Sequence, residues 1–304
     1  MKVTVVVPTY RRVEDLDRCL AALREQTRPA EEVLVTIRND DAESTALVEQ
    51  SARGWPSLRA VPVKRPGVVA AMNAALAAVT GDIYALTDDD AEPHRDWLAR
   101  IVPIFEQQPG VAAVGGRDDQ VGAPGDKTTV GKLQWFGRII GNHHVGAGPA
   151  REVDVVKGVC SAFRMSALRE IGFDERLRGS GAQVHWELSL CLALARAGWR
   201  LVYDPAIRVR HHVGTRHDAD QLHRGRFAVE PHENAVYNET LVLAEHLRGA
   251  RRVAFKLWAS AIGTAVEPGV LQVPRAFLRD GFGALTRWRA TQRARGEGFR
   301  DARR

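Results

Sequence analysis

Residues 3–7, Val3-Thr4-Val5-Val6-Val7, form an unbroken β-branched run of the kind suited to a strand covered on both faces. The next hundred residues alternate between helical and strand patterns. Residues 13–26 place Leu16, Cys19, Leu20 and Leu23 at helical spacing, with Pro29 as the stop. A second strand is expected over 32–37, a second helix over 44–53 and a third strand over 58–63. Pro66-Gly67 then marks a turn before an alanine-rich helix over 68–79. A fourth strand, 83–86, runs into Asp88-Asp89-Asp90, and a further helix is expected over 94–105. Strand and helix alternating with short turns predict an α/β fold, a Rossmann-like, mostly parallel sheet flanked by helices. Ligands of such sheets bind beyond the carboxyl ends of the strands, where these aspartates stand.

From Val111 the pattern loosens. A Gly-rich stretch over 115–148 carries Trp135, Phe136 and Gly141-Asn142-His143-His144, and it reads as a long loop of the functional kind. Regular structure is expected again over 153–156, as a helix over 182–197, and as strands near Leu201 and Ile207. With 304 residues, of which 45% are hydrophobic and 26% charged, disorder and coiled coil are excluded. Cys19, Cys160 and Cys191 are widely spaced in apolar surroundings and predict reduced core thiols. The apolar run before Pro8 is too short for a signal-peptide core, so a cytoplasmic location is expected.

Charge is uneven: residues 248–304 hold 13 basic and 4 acidic residues, a net +9, while the rest of the chain carries −3. Nucleic acid is not the expected partner, because the first 247 residues show no basic stripe or recognition motif. Phe255, Trp258, Phe277, Phe282 and Trp288 are interleaved with the arginines, as in interfacial helices, so an amphipathic helical tail is expected to meet an anionic membrane surface peripherally. The competing expectation is a pair of helices packed on the body. The longest apolar stretch, 257–273, is interrupted by Glu267-Pro268-Gly269 and cannot span a bilayer.

Three consecutive carboxylates after a buried strand repel one another unless a cation offsets them. One aspartate could cap the following helix; three call for a metal. Oxygen-rich coordination in a loop suits Mg²⁺ or Mn²⁺, which commonly also bind diphosphate.

Over residues 2–212 the chain resembles the inverting family 2 glycosyltransferases of the GT-A fold. The resemblance is carried by Val5-Val6-Val7-Pro8-Thr9-Tyr10 with Arg12, by Gln26-Thr27 with Pro29, by Asn73, and by Gly81-Asp82 before Leu86-Thr87-Asp88-Asp89-Asp90 with Pro93 and Trp97-Leu98. It continues through Lys157-Gly158, Ala162-Phe163-Arg164, Gly172-Phe173-Asp174-Glu175, Glu187-Leu188 and Ala197-Gly198-Trp199. The resemblance implies a nucleotide diphosphate sugar, a UDP-sugar above others, held by Pro8, Thr9, Tyr10, Arg12, Asp40, Asp41, Arg65, Asn73, Asp88 and Asp89, with the metal on Asp90 and His211. It further implies a nucleotide-sugar half over 1–110, an acceptor and catalytic half over 111–247, and the basic tail over 248–304.

Two departures stand out. Arg38-Asn39-Asp40-Asp41 occupies the turn where the family usually has Asp-Asp-Gly-Ser, and His185 falls where the family usually supplies a carboxylate base, with Glu187 two residues on. Either residue can take a proton from an acceptor hydroxyl, and the sequence leaves the two open. The expected activity is metal-dependent transfer of a sugar to a glycan or lipid-linked acceptor, with His143 and His144 of the Gly-rich segment expected to touch the acceptor or the sugar. The rival is a catalytically silent binder of nucleotide sugars or glycans. No glycine-rich lysine loop follows the first strand, as a nucleotidyltransferase would need, and no Gly-x-Gly-x-x-Gly supports a dehydrogenase.

Overall fold

A computed structural model describes residues 1–120, 125–212, 217 and 227–302. The first half alternates as the sequence predicts: β1 Val3–Thr9, α1 Val13–Arg24, β2 Glu32–Arg38, α2 Ala42–Ala52, β3 Leu58–Val63, α3 Val68–Ala78 and β4 Ile83–Leu86. The continuous apolar run of β1 is explained by two cores. Val3, Val5 and Val7 pack with Leu16, Leu20 and Trp97 on one face, while Val6 packs with Met72 and Tyr84 on the other. All three cysteines are buried and free.

The remaining elements are β5 Ala91–Pro93, α4 Trp97–Gln107, β6 Val111–Asp119, a small hairpin of β7 Lys132–Leu133 and β8 Ile139–Ile140, β9 Arg151–Glu152, β10 Ser161–Arg164, α5 Met165–Ile171, α6 Trp186–Arg196 and β11 Arg200–His211. Four helices close the chain: α7 Val229–His246, α8 Gly249–Ala261, α9 Val273–Asp280 and α10 Phe282–Asp301. The main sheet runs β3-β2-β1-β4-β10-β6-β11-β5, with β9 also on β11. β1 to β4 are parallel, β10 is antiparallel between β4 and β6, and β11 is parallel to β6 and antiparallel to β5.

Several boundaries depart from the sequence reading. The expected loop beginning at Val111 opens with a long central strand, β6, whose glycines are there for packing. A Cβ on Gly116 would meet the Ile207 carbonyl and the Cys160 sulfur, and one on Gly115 would stand 2.8 Å from Val156. Glycine inside a strand is a sign of close approach, and by composition alone it reads as a loop. Residues near Leu201 and Ile207 form one strand, irregular between Asp204 and Arg208, instead of two. Val153–Val156 lies outside any ladder, and the paired residues are Arg151 and Glu152. Helix α4 starts at Trp97, later than expected, because β5 pairs with β11 and the His94 N–H bonds to the Arg208 carbonyl. Helix α6 starts at Trp186, because Gln183 and His185 hold left-handed φ values of 41° and 76° that an α-helix excludes.

The basic tail is folded onto the body. Phe255 and Ala259 of α8 join the core that contains Val6 and Met72, and α10 packs along α7 through Ala294, Arg295 and Gly298. No described helix is long and apolar enough to cross a membrane.

A methyl group at position 116 has no room, since its neighbours include main chain. Gly116→Ala is expected to lower stability by about 1–3 kcal/mol, read as a lower urea midpoint at unchanged m-value.

Candidate active site

The aspartate turn is shaped by the strands on either side. The Thr87 N–H bonds to the Val6 carbonyl at 3.2 Å, and the Ala91 N–H bonds to the Asp88 carbonyl at 3.2 Å, turning the chain into β5. β5 pairs with β11 so that His211 lies opposite Ala91, and the His212 N–H reaches the Asp90 carbonyl at 2.9 Å. This pairing, between residues far apart in sequence, brings Asp88, Asp90 and His211 together with one ligand atom each within 4.8 Å of the others.

His211 Nε2 lies 3.2 Å from Asp90 Oδ1, and its Nδ1 lies 2.9 Å from Asp118 Oδ1. A proton on Nδ1 donated to Asp118 leaves the Nε2 lone pair facing the aspartates, the orientation a metal ligand requires. Burial pulls the imidazole pKa down, but the bond to Asp118 and the facing Asp90 outweigh it and lift the pKa to about 9. Burial would raise the Asp118 carboxyl, yet the bonds from His211 and Lys157 hold it well below the usual carboxylate range.

Arg12 closes the other side. Its Nη1 bonds to Asp90 Oδ2 at 2.8 Å, its Nε to Asp89 Oδ2 at 3.0 Å, and its Nη2 to the second oxygen of Asp89. Asp89 also accepts from Thr9 Oγ1 at 2.7 Å. Burial and the neighbouring Asp90 push Asp89 up to about 7, against the pull of Arg12 and Thr9. Two carboxylates and an imidazole, oriented by Asp118 and flanked by one guanidinium, form a donor set that fits Mn²⁺ or Mg²⁺.

In front of this turn opens a cavity of 260 Å³. Its floor is the carboxyl end of the sheet: Pro8, Thr9, Tyr10 and Arg12 after β1, Thr36 and Arg38 of β2, with Asp88 and His211. The Tyr10 ring lies 4.1 Å from the Arg38 guanidinium and 5.0 Å from that of Arg11, and its hydroxyl donates to Asp40 at 3.1 Å. Residues 180–182 and Val184 cover the cavity. That segment is tied down at two points. Gln183 accepts the Val69 N–H at 2.9 Å and donates to the Leu177 carbonyl at 2.8 Å. Asn238 of α7, fully buried, accepts the Arg178 N–H at 2.8 Å and donates to the Val184 carbonyl at 3.0 Å.

A second cavity, of 450 Å³, is bordered by Arg138, His143, His185, Glu239 and Trp258. Lys157 and Glu187 line both cavities. Glu187 sits in the first turn of α6, where Oε1 accepts the Gly158 N–H at 3.4 Å, and burial raises its carboxyl pKa. His185 precedes the helix, and its left-handed backbone sends the ring to the second cavity only, beside Glu239 and Glu267. Burial lowers its pKa against the pull of Glu267. The irregular start of α6 thus separates two side chains that a regular helix would also have pointed apart.

Apart from His143, which borders the second cavity, the other sequence-predicted site residues named below lie outside both cavities. Asp89 sits beneath the floor as the partner of Arg12 and Thr9. Asp41 caps α2, accepting the Ser44 N–H at 3.2 Å and the Arg11 N–H at 2.5 Å, while Asp40 stands exposed beside Tyr10. Arg65 pairs with Glu175 at 2.7 Å on the surface. Asn73 ties α3 to Phe173, donating to its carbonyl at 2.9 Å and accepting its N–H at 3.2 Å. His143 is buried, donates to the Val155 carbonyl at 2.9 Å, and burial pulls its pKa down to about 4. His144 is half-buried in the same short turn and borders neither cavity. Asp118 and Glu239 are additions that sequence reasoning missed: Asp118 is next to last in a strand that reads as loop, and Glu239 lies beyond the recognised motifs; Trp258, read in the sequence as an interfacial aromatic, borders the second cavity. Lys157 stands within those motifs, which give it no role.

Comparison with known proteins bears on the family and the fold. Residues 1–228 match the family described as Glycosyltransferase like family 2. Glycosyltransferase AglE of Haloferax volcanii is 27% identical over 187 residues, covering 60% of this chain and 59% of the relative. A pre-mycofactocin glycosyltransferase of Mycobacterium tuberculosis is 30% identical over 213 residues, covering 69% of this chain but 42% of the relative. A glucosyl-dolichyl phosphate glucuronosyltransferase of Haloferax volcanii is 26% identical over 221 residues, 69% of each chain. Among solved structures, mannosyltransferase PcManGT from Pyrobaculum calidifontis, in complex with GDP-Man and Mn²⁺, superposes with a TM-score of 0.60 at 22% identity, covering 99% of this chain and 86% of the other. GalNAc-T7 with UDP, GalNAc and Mn²⁺ gives 0.68 at 15% identity, covering 92% and 54%. With a family match over three quarters of its length and a sheet that follows those structures, the chain belongs to glycosyltransferase family 2 and has the GT-A fold.

Proposed function

We propose that this protein is a metal-dependent, inverting glycosyltransferase in which the first cavity takes a nucleotide diphosphate sugar, the second takes the acceptor, and Glu187 is the base between them. The observation that carries this reading is the position of Glu187: it lines both cavities, and the one in front of it also contains Asp88 and His211. In this reading residues 1–110 hold the donor, 111–247 supply the acceptor side and the base, and 248–304 complete the second cavity through Trp258. The solved relatives bound to GDP-Man or UDP with Mn²⁺ support the donor class.

Tyr10, between Arg11 and Arg38, offers a flat cationic and aromatic surface suited to a nucleotide base. Asp88, Asp90 and His211 would hold the cation. Mn²⁺ or Mg²⁺ bound there supplies positive charge to the departing diphosphate. Arg12 fixes Asp90 and keeps the three aspartates from repelling one another. Glu187 accepts the proton of the acceptor hydroxyl as its oxygen bonds to the anomeric carbon and the bond to the diphosphate breaks, which inverts the configuration. His185, confined to the second cavity with Glu239, positions the acceptor. A glycan or lipid-linked acceptor suits this role, in line with the relative named for a glucosyl-dolichyl phosphate substrate.

Asp90→Asn is expected to keep the fold, seen in an unchanged circular dichroism spectrum, and to lose Mn²⁺-dependent stabilisation by nucleotide diphosphate sugars. For the unaltered protein that gain is about 2.7 kcal/mol at a ligand concentration about 100 times Kd, read as a thermal shift. A variant that keeps the full Mn²⁺-dependent shift would remove Asp90 from the site.

Glu187→Gln should lower kcat by about 10² to 10⁴, measured as nucleotide diphosphate released from the donor, with donor binding little changed. His185→Ala should cost far less. If the histidine variant suffers the large loss instead, the two roles are exchanged.

The base must be ionised, so the rate should fall as pH drops through the Glu187 pKa. Because burial raises that pKa, the acid limb should lie above the value of about 4.3 for a free glutamate. A limb at or below that value would contradict Glu187 as base.

A further inference from the structure

The five most exposed large apolar side chains among the described residues, Leu278, Phe282, Leu271, Leu257 and Val266, all fall within residues 257–282 and are 65–89% exposed. Single exposed leucines are ordinary, but this concentration is not. Leu257 shares its face of α8 with Val253 one turn earlier, opposite the buried Phe255 and Ala259. The short turn 270–272 packs against both α8 and α9, so these side chains belong to adjoining elements. Trp135 is also exposed and joins this region, because its carbonyl accepts from Arg251 Nε at 3.3 Å.

Cations flank the apolar groups. Arg248, Arg251, Arg252, Lys256 and Arg275 make no ion pair among the described residues, whereas in α10 Arg287, Arg293 and Arg295 are paired with carboxylates and Arg289 and Arg300 are not. Five of these seven unpaired cations therefore stand in the part of the tail that carries most of the exposed apolar side chains. In a symmetric pair of chains these arginines would tend to face their own copies, while an anionic surface meets them with opposite charge. No described helix can span a bilayer, which leaves attachment at its surface.

We infer that the face built by α8, the segment 262–272 and α9 docks the protein on an anionic phospholipid bilayer, with Leu257, Leu271, Leu278 and Phe282 entering the headgroup boundary and Arg248, Arg252 and Arg275 meeting the phosphates. This segment also supplies Trp258 and Thr264 to the wall of the second cavity, so docking holds that cavity near the membrane. The consequence for a lipid-linked acceptor rests on the transferase reading; the docking does not, and it is measured without turnover.

The test is co-sedimentation of the full chain with vesicles at low salt, using phosphatidylcholine alone or an equimolar mixture with phosphatidylglycerol. The expected result is binding to the anionic vesicles at least tenfold above the neutral ones, weakened by added salt. Leu257→Asp with Leu278→Asp should lose most of this binding at an unchanged circular dichroism spectrum and unfolding midpoint. Arg252→Gln and Arg275→Gln should each weaken it by about fivefold, the equivalent of about 1 kcal/mol per charge near the surface. The proposal is overturned if the unaltered protein stays in the supernatant, or if the aspartate variants bind as well as it does. It is also overturned if, without lipid, the aspartate variants convert a sedimenting dimer to monomer, for then a second copy covers the face.

Discussion

Three carboxylates are held together at the end of a strand that water does not reach, and the rest of the site is arranged around that constraint. The offsetting charge is Arg12, whose guanidinium spans Asp89 and Asp90 from the turn after β1. Because β1 and β4 are neighbours in parallel register, their carboxyl ends lie side by side and the arginine reaches both aspartates without leaving its own turn. Asp89 then becomes a support for Arg12 and Thr9, while Asp88 and Asp90 remain directed at His211. Consecutive residues acquire different tasks because the turn points them in different directions.

His211 depends on an equally long chain of contacts. It is delivered by the antiparallel pairing of β5 with β11 and oriented by Asp118, which is itself held by Lys157. Lys157 precedes the glycine whose N–H reaches Glu187. The proposed metal ligands and the proposed base are therefore linked through one polar path, Asp90 to His211 to Asp118 to the half-buried Lys157, that runs from one cavity toward the other. Buried networks of this kind are favourable only when every member is satisfied, which makes their geometry sharply defined.

The C-terminal helices are also part of the cavity walls. Asn238 of α7 fixes the segment 178–184 that covers the first cavity, and Glu239, the next residue, faces the second. Arg295 of α10, almost fully buried, bonds to the carbonyls of Ala259 and Glu267 and so fastens the chain after α8 to the bundle. Packing of α10 on α7 thus stiffens the walls of both cavities from behind, although neither helix carries a recognisable catalytic motif.

Local pattern is enough for the parallel half of the sheet, for the helical face of Leu16, Cys19, Leu20 and Leu23, and for the place of the aspartates, because each of these is set by spacing along a short segment. Of the tail aromatics singled out in the sequence only Phe277 and Phe282 are exposed, whereas Phe255 is core and Trp258 borders the second cavity, so the exposed apolar groups are mostly aliphatic side chains that the aromatic pattern does not mark. Three things are decided only by tertiary structure. Strand β6 hides behind its glycines, since their purpose is the close approach of Ile207, Cys160 and Val156, none of them near in sequence. The placement of His185 and Glu187 is likewise set by the fold, since left-handed backbone at Gln183 and His185 turns the His185 side chain to a single cavity and leaves Glu187 between two, which is the ground for proposing Glu187 as the base. Asp118, Asn238 and Glu239 act by meeting residues from distant strands and loops, and a one-dimensional pattern records which residues are present but not which of them fold together.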